Sequence, residues 1–419
     1  MTQASTLNPY AGNILIDPLG PLLSREDAVK HLLEVPPRPG KLKDIPRHVR
    51  RHMLMEVRNF HVPPEVEGRL FETIDLMLRR SYLDRNPVQP GTWRTLSGEV
   101  VNSKRPGSMA FGAAVEGPSG SGKTEGSMRC LNCFPELVVH DTFPKLAGPH
   151  TQVVWLSIDV PASGSAEDLA RALMLAWERR TGSGRFAALL QRERYKNPMA
   201  VLDEWRQVAL SHFLGVLHLD EVQNFFKIGT LEQRRKRKTG EILELSIIED
   251  RCLKWILTLL NTWGMPVVFS GTPDGIGAIT NRLSNLQRFA TGGFHAFSTF
   301  GSSSDPSFEV FLKALWPYQY VQERLKYAAE HAELIFLLSG GVQRIIVALW
   351  IAANRIALER DTDDLRVDDF KEAARTYLAP LAPAVSAILS KDPLRMSRYE
   401  DLVSRDSTYW GRFWQRVGE

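Results

Sequence analysis

The chain has 419 residues, of which 52 are Lys or Arg, 48 are Asp or Glu and three are Cys. With 43% hydrophobic and 24% charged residues, its composition is that of a globular protein and excludes long-range disorder. A net charge of +4 argues against a histone-like protein, and three cysteines exclude a disulfide framework. No apolar run approaches the roughly 20 residues of a membrane span, and the first residues lack a signal-peptide pattern. We therefore expect a cytoplasmic protein.

The surplus of positive charge lies in the first quarter of the chain. Residues 1–110 contain 16 Lys or Arg and 12 Asp or Glu, so the remainder is neutral. The Pro- and Gly-rich residues 1–40 predict an irregular arm with at most one short helix at 25–33. Helical spacing of apolar residues follows over 64–80.

A pattern of short apolar runs begins after residue 111. The runs lie at 112–116, 152–160, 215–219, 266–270 and 294–300, with helical stretches such as 166–179 and 243–263 between them. Near-continuous apolar strands alternating with helices predict an α/β fold, a five-stranded parallel sheet between helices. Residues 307–378 are helical in pattern. We therefore predict an N-terminal arm and helical partner-docking region (1–105), an α/β ATPase domain (106–305), an α-helical lid (306–380) and a C-terminal tail (381–419).

The first predicted strand leads directly into a phosphate-binding loop. Its residues match the GxxxxGK[ST] pattern at every fixed position. Glycines let backbone N–H groups converge on phosphate oxygens, the lysine reaches the terminal phosphates, and the final hydroxyl binds Mg²⁺. The predicted ATP-binding residues are Gly117, Pro118, Ser119, Gly120, Ser121, Gly122, Lys123 and Thr124.

Two acids end the third predicted strand of the sheet. Carboxylates at the carboxyl end of a parallel strand lie in the ligand crevice. Asp220 suits a role in holding Mg²⁺, and Glu221 suits that of the catalytic residue that polarises the attacking water. Alternatively, Glu221 caps the next helix, although the upstream phosphate loop favours catalysis. The two motifs predict an ATPase of the additional-strand type, and the lack of an Asn-Lys-x-Asp signature favours ATP over GTP.

Further polar residues follow the fourth predicted strand. Ser270 or Thr272 is placed to contact the γ-phosphate or the attacking water, unless this segment is a simple turn. Arg288, or alternatively Arg282, is placed to act as an arginine finger toward a neighbouring subunit, unless it lies on a solvated helix face. Arg344 follows two glycines at the start of an apolar helix and is predicted to contact the γ-phosphate, rather than being an ordinary surface arginine.

Five consecutive basic residues form a run within the ATPase domain. Such a cluster binds several phosphates and predicts a salt-dependent affinity for DNA, although charge runs are also found on solvated faces. The run comprises Arg234, Arg235, Lys236, Arg237 and Lys238. A second loop with fewer basic residues, Arg179, Arg180 and Arg185, is a further candidate for DNA contact. The same residues are equally consistent with a linker that ends a helix. Cys130 and Cys133 have no second pair, so we expect them to fill the core rather than bind zinc.

The combination of these motifs resembles an AAA+ ATPase of the initiator type. It is more narrowly similar to the TnsC/TniB transposition regulators. The motifs that carry this resemblance are 117–124, Asp220-Glu221, 270–273, Arg288, 341–344 and the stretch Tyr82-Leu83-Asp84-Arg85-Asn86-Pro87.

The resemblance implies a DNA-bound, ATP- and Mg²⁺-dependent regulator of transposition. Proteins of this family assemble as homo-oligomeric rings or helical filaments on double-stranded DNA. They link a target-selection protein of the TniQ type, sometimes attached to an RNA-guided complex, to the transposase, and ATP hydrolysis disassembles the polymer. By the same resemblance, the basic N-terminal arm and the aromatic C-terminal tail (Tyr409, Trp410, Phe413 and Trp414) would contact partners.

Other functions are compatible with the same ATPase motifs. An origin-recognition or helicase-loader ATPase would usually carry a winged-helix domain, for which the residues after Leu378 leave little room. A nucleotide-switched signalling ATPase would normally carry effector repeats, which we do not find. A metabolic kinase would need neither the basic run nor a helical lid with its own arginine.

Overall fold

A computed structural model describes residues 8–97, 112–118, 120–227, 246–280 and 291–392, together with 395, 415, 417 and 418. The chain forms two compact units. The first takes in the described parts of Met1–Ala28, Glu65–Glu116 and Lys123–Ala296. The second takes in Val29–Pro64, Gly117–Gly122 and the described part of Phe297–Glu419. The predicted domain boundaries at 105, 305 and 380 stay predictions.

The first unit contains a five-stranded parallel sheet. Its strands are β1 (Gly112–Glu116), β4 (Trp155–Asp159), β5 (Val216–Asp220), β8 (Val267–Gly271) and β9 (Gly293–Ala296), in the order β4-β5-β8-β1-β9. All four pairings are parallel, with Asp159 opposite Asp220 and Glu116 opposite Gly271. Strand β8 lies between β1 and β5, as the additional-strand arrangement requires. The predicted α/β fold is therefore confirmed.

The central strands are buried because helices cover the sheet. Every residue of β5 and β8 is buried, which explains why their sequences are nearly continuous apolar runs. The helices of this unit beyond the N-terminal segment are α3 (Glu65–Asp84), α4 (Pro90–Leu96), α5 (Lys123–Asn132), α6 (Ala166–Thr181), α7 (Ala187–Leu190), α8 (Pro198–Ser211), α9 (Asp250–Asn261) and α10 (Pro273–Thr280). Their core includes three neighbouring indoles, of Trp177, Trp205 and Trp255.

Two predicted elements differ from the structure. The strand predicted over 152–160 is divided at Val154: β3 (His150–Val153) pairs antiparallel with β2 (Leu137–His140), and only β4 joins the main sheet. The helix predicted over 243–263 begins at Asp250, since Ser246–Ile247 forms β7, which pairs with β6 (Phe226–Lys227). The apolar pattern continues across a change of pairing partner in the first case and across a change from strand to helix in the second, so periodicity alone does not reveal either break.

The second unit is built around helices from the C-terminal third of the chain. They are α11 (Pro306–Leu315), α12 (Ala329–Ser339), α13 (Gln343–Glu359), α14 (Val367–Thr376) and α15 (Ala382–Leu389). Helix α13 is the core element, with twelve buried residues between Ile345 and Leu358. No single helix in the described part of the chain has the length and apolarity to cross a membrane; α12 and α13 reach that length only together, across a bend of 113°.

Residues 29–64 pack into this helical unit. Helix α1 (Arg25–Leu32) confirms the predicted short helix, and α2 (Arg47–Leu54) is a second one that the sequence pattern did not reveal. The hydroxyl of Tyr318 donates to Pro36 O at 2.6 Å, and the ring of Phe60 contacts those of Phe311 and Tyr318. The segment is therefore part of the helical core.

A buried arginine anchors α2. The side chain of Arg50 is 2% exposed and donates to both carboxylate oxygens of Asp363, at 2.9 and 2.5 Å, and to the carbonyl oxygens of Ile45 and Tyr320. Burial alone would raise the pKa of Asp363, but the hydrogen bonds and charge of Arg50 bring it below its ordinary value. The ion pair is therefore charged at neutral pH and fully satisfied.

We predict that Arg50→Met destabilises the fold by about 3–5 kcal/mol near neutral pH, because it leaves Asp363 buried without its partner. Urea unfolding followed by tryptophan fluorescence measures the loss. Arg375→Met is the control: Arg375 is exposed and pairs with Glu372 on the same helix, α14, so its replacement should cost about 0–1 kcal/mol. The Arg50→Met penalty should shrink as the pH falls. The unpaired Asp363 of the variant takes up a proton first, because burial raises its pKa, and the wild-type ion pair is lost last, as the pH falls through the lowered pKa of Asp363. Equal penalties for the two variants would contradict this assignment.

Candidate functional site

The phosphate loop joins β1 to α5 and depends on its glycines. Gly120 and Gly122 have φ angles of 80° and 92°, in the left-handed region that other residues rarely adopt. A Cβ at Gly117 would overlap Ser121 Oγ and lie 2.9 Å from the carbonyl oxygen of Phe297. The loop therefore requires glycine at the two fixed positions of the predicted motif, Gly117 and Gly122, and favours it at Gly120 as well. Ser119 lies outside the described residues.

The loop residues fit a phosphate ligand. Ser121 Oγ is buried and has no hydrogen-bond partner among the described residues, and an unsatisfied buried hydroxyl is costly without a ligand. Lys123 and Thr124 open α5, where the helix N-terminus favours bound anions. Lys123 is only 4% exposed, so its ammonium group is shielded from bulk water.

The predicted magnesium ligands meet in the structure. Thr124 Oγ1 donates to Asp220 Oδ2 at 2.6 Å. Asp220 ends β5 and is 2% exposed. A hydroxyl and a buried carboxylate are hard oxygen donors of the kind that Mg²⁺ takes in nucleotide sites, so the pair fits the ion.

A chain of buried polar side chains holds Asp220 from behind. Ser270 Oγ donates to Asp220 Oδ1 at 2.5 Å, and His218 Nε2 lies 2.8 Å from Ser270 Oγ. On the far side of the imidazole, Ser157 Oγ lies 2.8 Å from His218 Nδ1. The hydroxyl hydrogen of Ser270 is used in the bond to the carboxylate, so Ser270 Oγ must accept from His218 Nε2. A neutral His218 therefore carries its proton on Nε2. Each ring nitrogen of His218 then has one partner, and the Ser270 hydroxyl donates one hydrogen bond and accepts another.

This network keeps Asp220 ionised despite its burial. Burial alone would raise the pKa of Asp220, but His218 and the hydrogen bonds from Ser270 and Thr124 lower it below its ordinary value. Burial lowers the pKa of His218, so the imidazole is neutral near pH 7. At neutral pH, where the imidazole carries no charge, the carboxylate is held charged by the hydroxyls of Ser270 and Thr124, the N–H of Glu221 and the charge of Lys123.

Glu221 has an unusual backbone conformation next to this network. Its φ and ψ are 56° and 40°, in the left-handed helical region, which costs a non-glycine residue about 1–2 kcal/mol. Its N–H donates to Asp220 Oδ1 at 2.8 Å, which offsets part of that cost. The side chain of Gln223 donates from Nε2 to Glu221 Oε2. Burial, more than any other influence, raises the pKa of Glu221.

The two candidates for phosphate contact on β8 differ in environment. Ser270 is fully buried, and its hydroxyl is directed to Asp220. The backbone N–H of Thr272 donates to Gln223 Oε1 at 3.2 Å, and its hydroxyl accepts from Gly275 N at 3.4 Å. Contact of either hydroxyl with the γ-phosphate stays a prediction.

Arg344 lies in the second unit, near the start of α13. Its side chain is exposed, and the two preceding glycines, Gly340 and Gly341, have φ angles of 63° and 70°. Its neighbour Gln343 approaches the phosphate loop, since a Cβ at Gly122 would lie 3.5 Å from Gln343 Oε1. Contact of Arg344 with the γ-phosphate stays a prediction.

The second basic loop has partners within the molecule. The guanidinium of Arg180 lies 4.4 Å from the centre of the Trp155 ring and pairs with Glu136, and Arg185 pairs with Glu204 at 3.2 Å. Arg179 is exposed. Its DNA contact stays a prediction, as do those of Arg180 and Arg185. The basic run Arg234–Lys238 and the finger candidates Arg282 and Arg288 lie outside the described residues.

The cysteines have a structural environment, as expected. Cys130 is fully buried, and burial raises the pKa of Cys133 to about 11, so neither is a reactive thiolate at neutral pH. Within the described ranges, no group of three or more His, Cys, Asp or Glu side chains is arranged to hold a metal ion.

Sequence reasoning missed three residues of the site: Ser157, His218 and Gln223. A usable signal existed for His218, because a histidine within the apolar strand Val-Leu-His-Leu-Asp must find buried partners. Ser157 and Gln223 give no such signal in the sequence.

Comparison with known proteins identifies the domain. Residues 112–278 match the family model described as an AAA domain. The chain is similar to a chain of Drosophila ORC bound to DNA, with 14% identity, 99% of this chain and 85% of that chain covered, and a TM-score of 0.41. It is also similar to the Aeropyrum pernix ORC2 protein in ADPNP–ADP complexes, with 13% identity, coverages of 79% and 85%, and a TM-score of 0.38. No curated protein matches the chain. The AAA match and the sheet together identify an AAA+ P-loop ATPase fold.

We predict that Ser270→Ala and Ser157→Ala each destabilise the protein by about 1–3 kcal/mol, because each leaves a nitrogen of His218 unpaired. Only Ser270→Ala also removes a donor to Asp220, so it alone should raise the Mg²⁺ concentration needed for nucleotide binding, by about 10- to 100-fold. Thermal unfolding and Mg²⁺ titration of fluorescent-nucleotide binding measure the two effects. Equal shifts in Mg²⁺ requirement would argue against a specific role for Ser270.

Proposed function

We propose that this chain binds ATP with Mg²⁺ at residues 117–124 and hydrolyses it with Glu221 as the catalytic residue. The observation that carries the proposal is the 2.6 Å contact between Thr124 Oγ1 and Asp220 Oδ2. It brings together the hydroxyl and the carboxylate that P-loop ATPases use to hold Mg²⁺. The adjacent Glu221 supplies a carboxylate of raised pKa, suited to accept a proton from water.

The residues of the chain divide the chemistry among them. Backbone N–H groups of the loop and the ammonium of Lys123 bind the phosphates, and Thr124 with Asp220 would hold Mg²⁺. When bound, Mg²⁺ would supply positive charge that offsets the negative charge of the phosphates. Glu221 orients the attacking water and takes its proton. The network behind Asp220 keeps the carboxylate fixed, so no reorganisation is needed when the ligand binds.

We propose further that the ATPase acts on double-stranded DNA as a regulator of transposition. In this proposal it forms a homo-oligomer on DNA, links a target-selection protein of the TniQ type to the transposase, and leaves the DNA after hydrolysis. The resemblance of its motifs to the TnsC/TniB regulators supports this role, as does the basic run Arg234–Lys238 within the ATPase domain. The finger candidates Arg288 and Arg282 would act across the subunit interface of that oligomer.

An origin-recognition or helicase-loader function shares the AAA domain and differs in assembly. A filament-forming regulator should cover duplex DNA in proportion to its length, whereas a loader should form an assembly of fixed size. Electron microscopy with duplexes of two lengths and a non-hydrolysable ATP analogue distinguishes them. Particles of one size on both duplexes would favour the loader.

We predict that Lys123→Ala abolishes ATP binding, whereas Glu221→Gln retains binding and lowers kcat by about 100- to 10,000-fold, because only the base is lost. Fluorescent-nucleotide binding and phosphate release measure the two steps. Lys254→Ala is the control for the first variant, since this lysine is exposed and pairs with Asp250 on α9. Normal turnover by Glu221→Gln would refute the catalytic assignment.

We predict that replacing all five residues of Arg234–Lys238 by Gln weakens duplex binding and flattens its salt dependence. The slope of log K against the logarithm of the salt concentration should fall by about 0.9 for each phosphate that the variant no longer neutralises. Replacing Arg179 and Arg185 should have a smaller effect, since Arg185 already pairs with Glu204. If the salt dependence of the affinity is unchanged after all five residues are replaced, Arg234–Lys238 does not contact DNA.

A further inference from the structure

Gln223 is a buried residue two positions after Glu221. It is the second residue of the 3-10 turn Val222–Phe225, which follows Glu221 directly, and it is 6% exposed. A buried amide carries two donors and an acceptor that must be satisfied, so its partners define its role.

The amide of Gln223 bridges two elements of the site. Its Nε2 donates to Glu221 Oε2, and its Oε1 accepts from the backbone N–H of Thr272, just beyond β8. The first bond holds one oxygen of the Glu221 carboxylate and leaves the other free to accept from water. The second bond fixes the amide orientation, because the oxygen is committed to a backbone donor.

Two glycines reserve the space for this side chain. A Cβ at Gly275 would lie 2.6 Å from Cβ and 2.8 Å from Cα of Gln223, and a Cβ at Gly271 would lie 2.9 Å from Gln223 Oε1. Real Cβ atoms do not approach other atoms this closely. The segment from Gly271 to Gly275 is therefore shaped to hold Gln223 as well as to end the strand.

The position demands a glutamine for chemical reasons. A donor must face the carboxylate and an acceptor must face the N–H of Thr272, and a primary amide supplies both at one side-chain length. A glutamate would present an acceptor to Glu221 and add like-charge repulsion. A methionine would fill a similar volume and make neither bond.

We propose that Gln223 is a positioning residue for ATP hydrolysis, which holds the Glu221 carboxylate in place against the end of β8. The inference rests on the proposed role of Glu221. Glu221 has a left-handed backbone conformation and neighbours a turn, so its side chain needs an external support to keep one orientation. The bridge to Thr272 N supplies that support from the sheet.

The test compares near-isosteric variants of the full chain. We expect Gln223→Met and Gln223→Glu to lower kcat for ATP by about 10- to 100-fold, the cost of a misplaced catalytic group, with KM and fluorescent-nucleotide affinity within about twofold of wild type. Asn224→Ala is the matched control, because Asn224 lies in the same turn but donates to the backbone carbonyl of Val160 at 2.7 Å. It should keep kcat within about threefold.

Several results would overturn the inference. Unchanged or increased kcat in Gln223→Met would show that the bond does not position Glu221 for hydrolysis. A parallel loss of nucleotide affinity, or an equal kcat loss in Asn224→Ala, would indicate a structural role only. If the two Gln223 variants do not fold, Gly271→Ala carries the same expectation, because its added Cβ would meet side-chain atoms, Val222 Cγ2 and Gln223 Oε1, and would displace the amide without removing it.

Failure of the inference and of the proposed function give different results. Suppose that the wild-type protein hydrolyses ATP and Glu221→Gln does not. If Gln223→Met is then as active as wild type, only the positioning role of Gln223 is refuted. If Glu221→Gln also hydrolyses ATP normally, the proposed catalytic assignment falls with it.

Discussion

The site depends on a single constraint, which is that a carboxylate must remain charged at the buried end of a central strand. Asp220 can do so only because donors reach both of its oxygens: Thr124 on one, and Ser270 with the N–H of Glu221 on the other. An unpaired charge at this depth would otherwise take up a proton or destabilise the sheet. This requirement explains why hydroxyl-bearing residues, Thr124 and Ser270, lie next to Asp220.

Sheet order explains how these donors come together. Because β8 lies between β1 and β5, Ser270 on β8 sits beside the strand that carries Asp220 and His218. Ser157 reaches His218 from β4 on the other side, where the two residues are opposite each other in register. A parallel sheet with another order would separate these side chains, so the network is a consequence of topology and not of sequence proximity.

Much of this arrangement was predictable and some of it was not. The five strands were predicted to within a few residues, because buried parallel strands are continuous apolar runs. The contact between Thr124 and Asp220, the proposed magnesium ligands, follows from two local motifs. The β2–β3 hairpin was not predicted, because the run over 152–160 shows no break where its pairing partner changes. The roles of Arg50 and Gln223 depend on Asp363 and on Gly271 and Gly275, which are distant in sequence, and no local pattern encodes such contacts.

The end of β8 shows how one short segment can serve several needs. Ser270 is directed inward and supports Asp220, whereas the backbone of Thr272 supports Gln223 and through it Glu221. The proposed metal ligand, Asp220, and the proposed catalytic carboxylate, Glu221, are therefore both supported by the same strand end, through separate hydrogen bonds. A shift of this strand end would disturb both supports at once, which gives the segment a physical means of coupling metal binding to the orientation of Glu221.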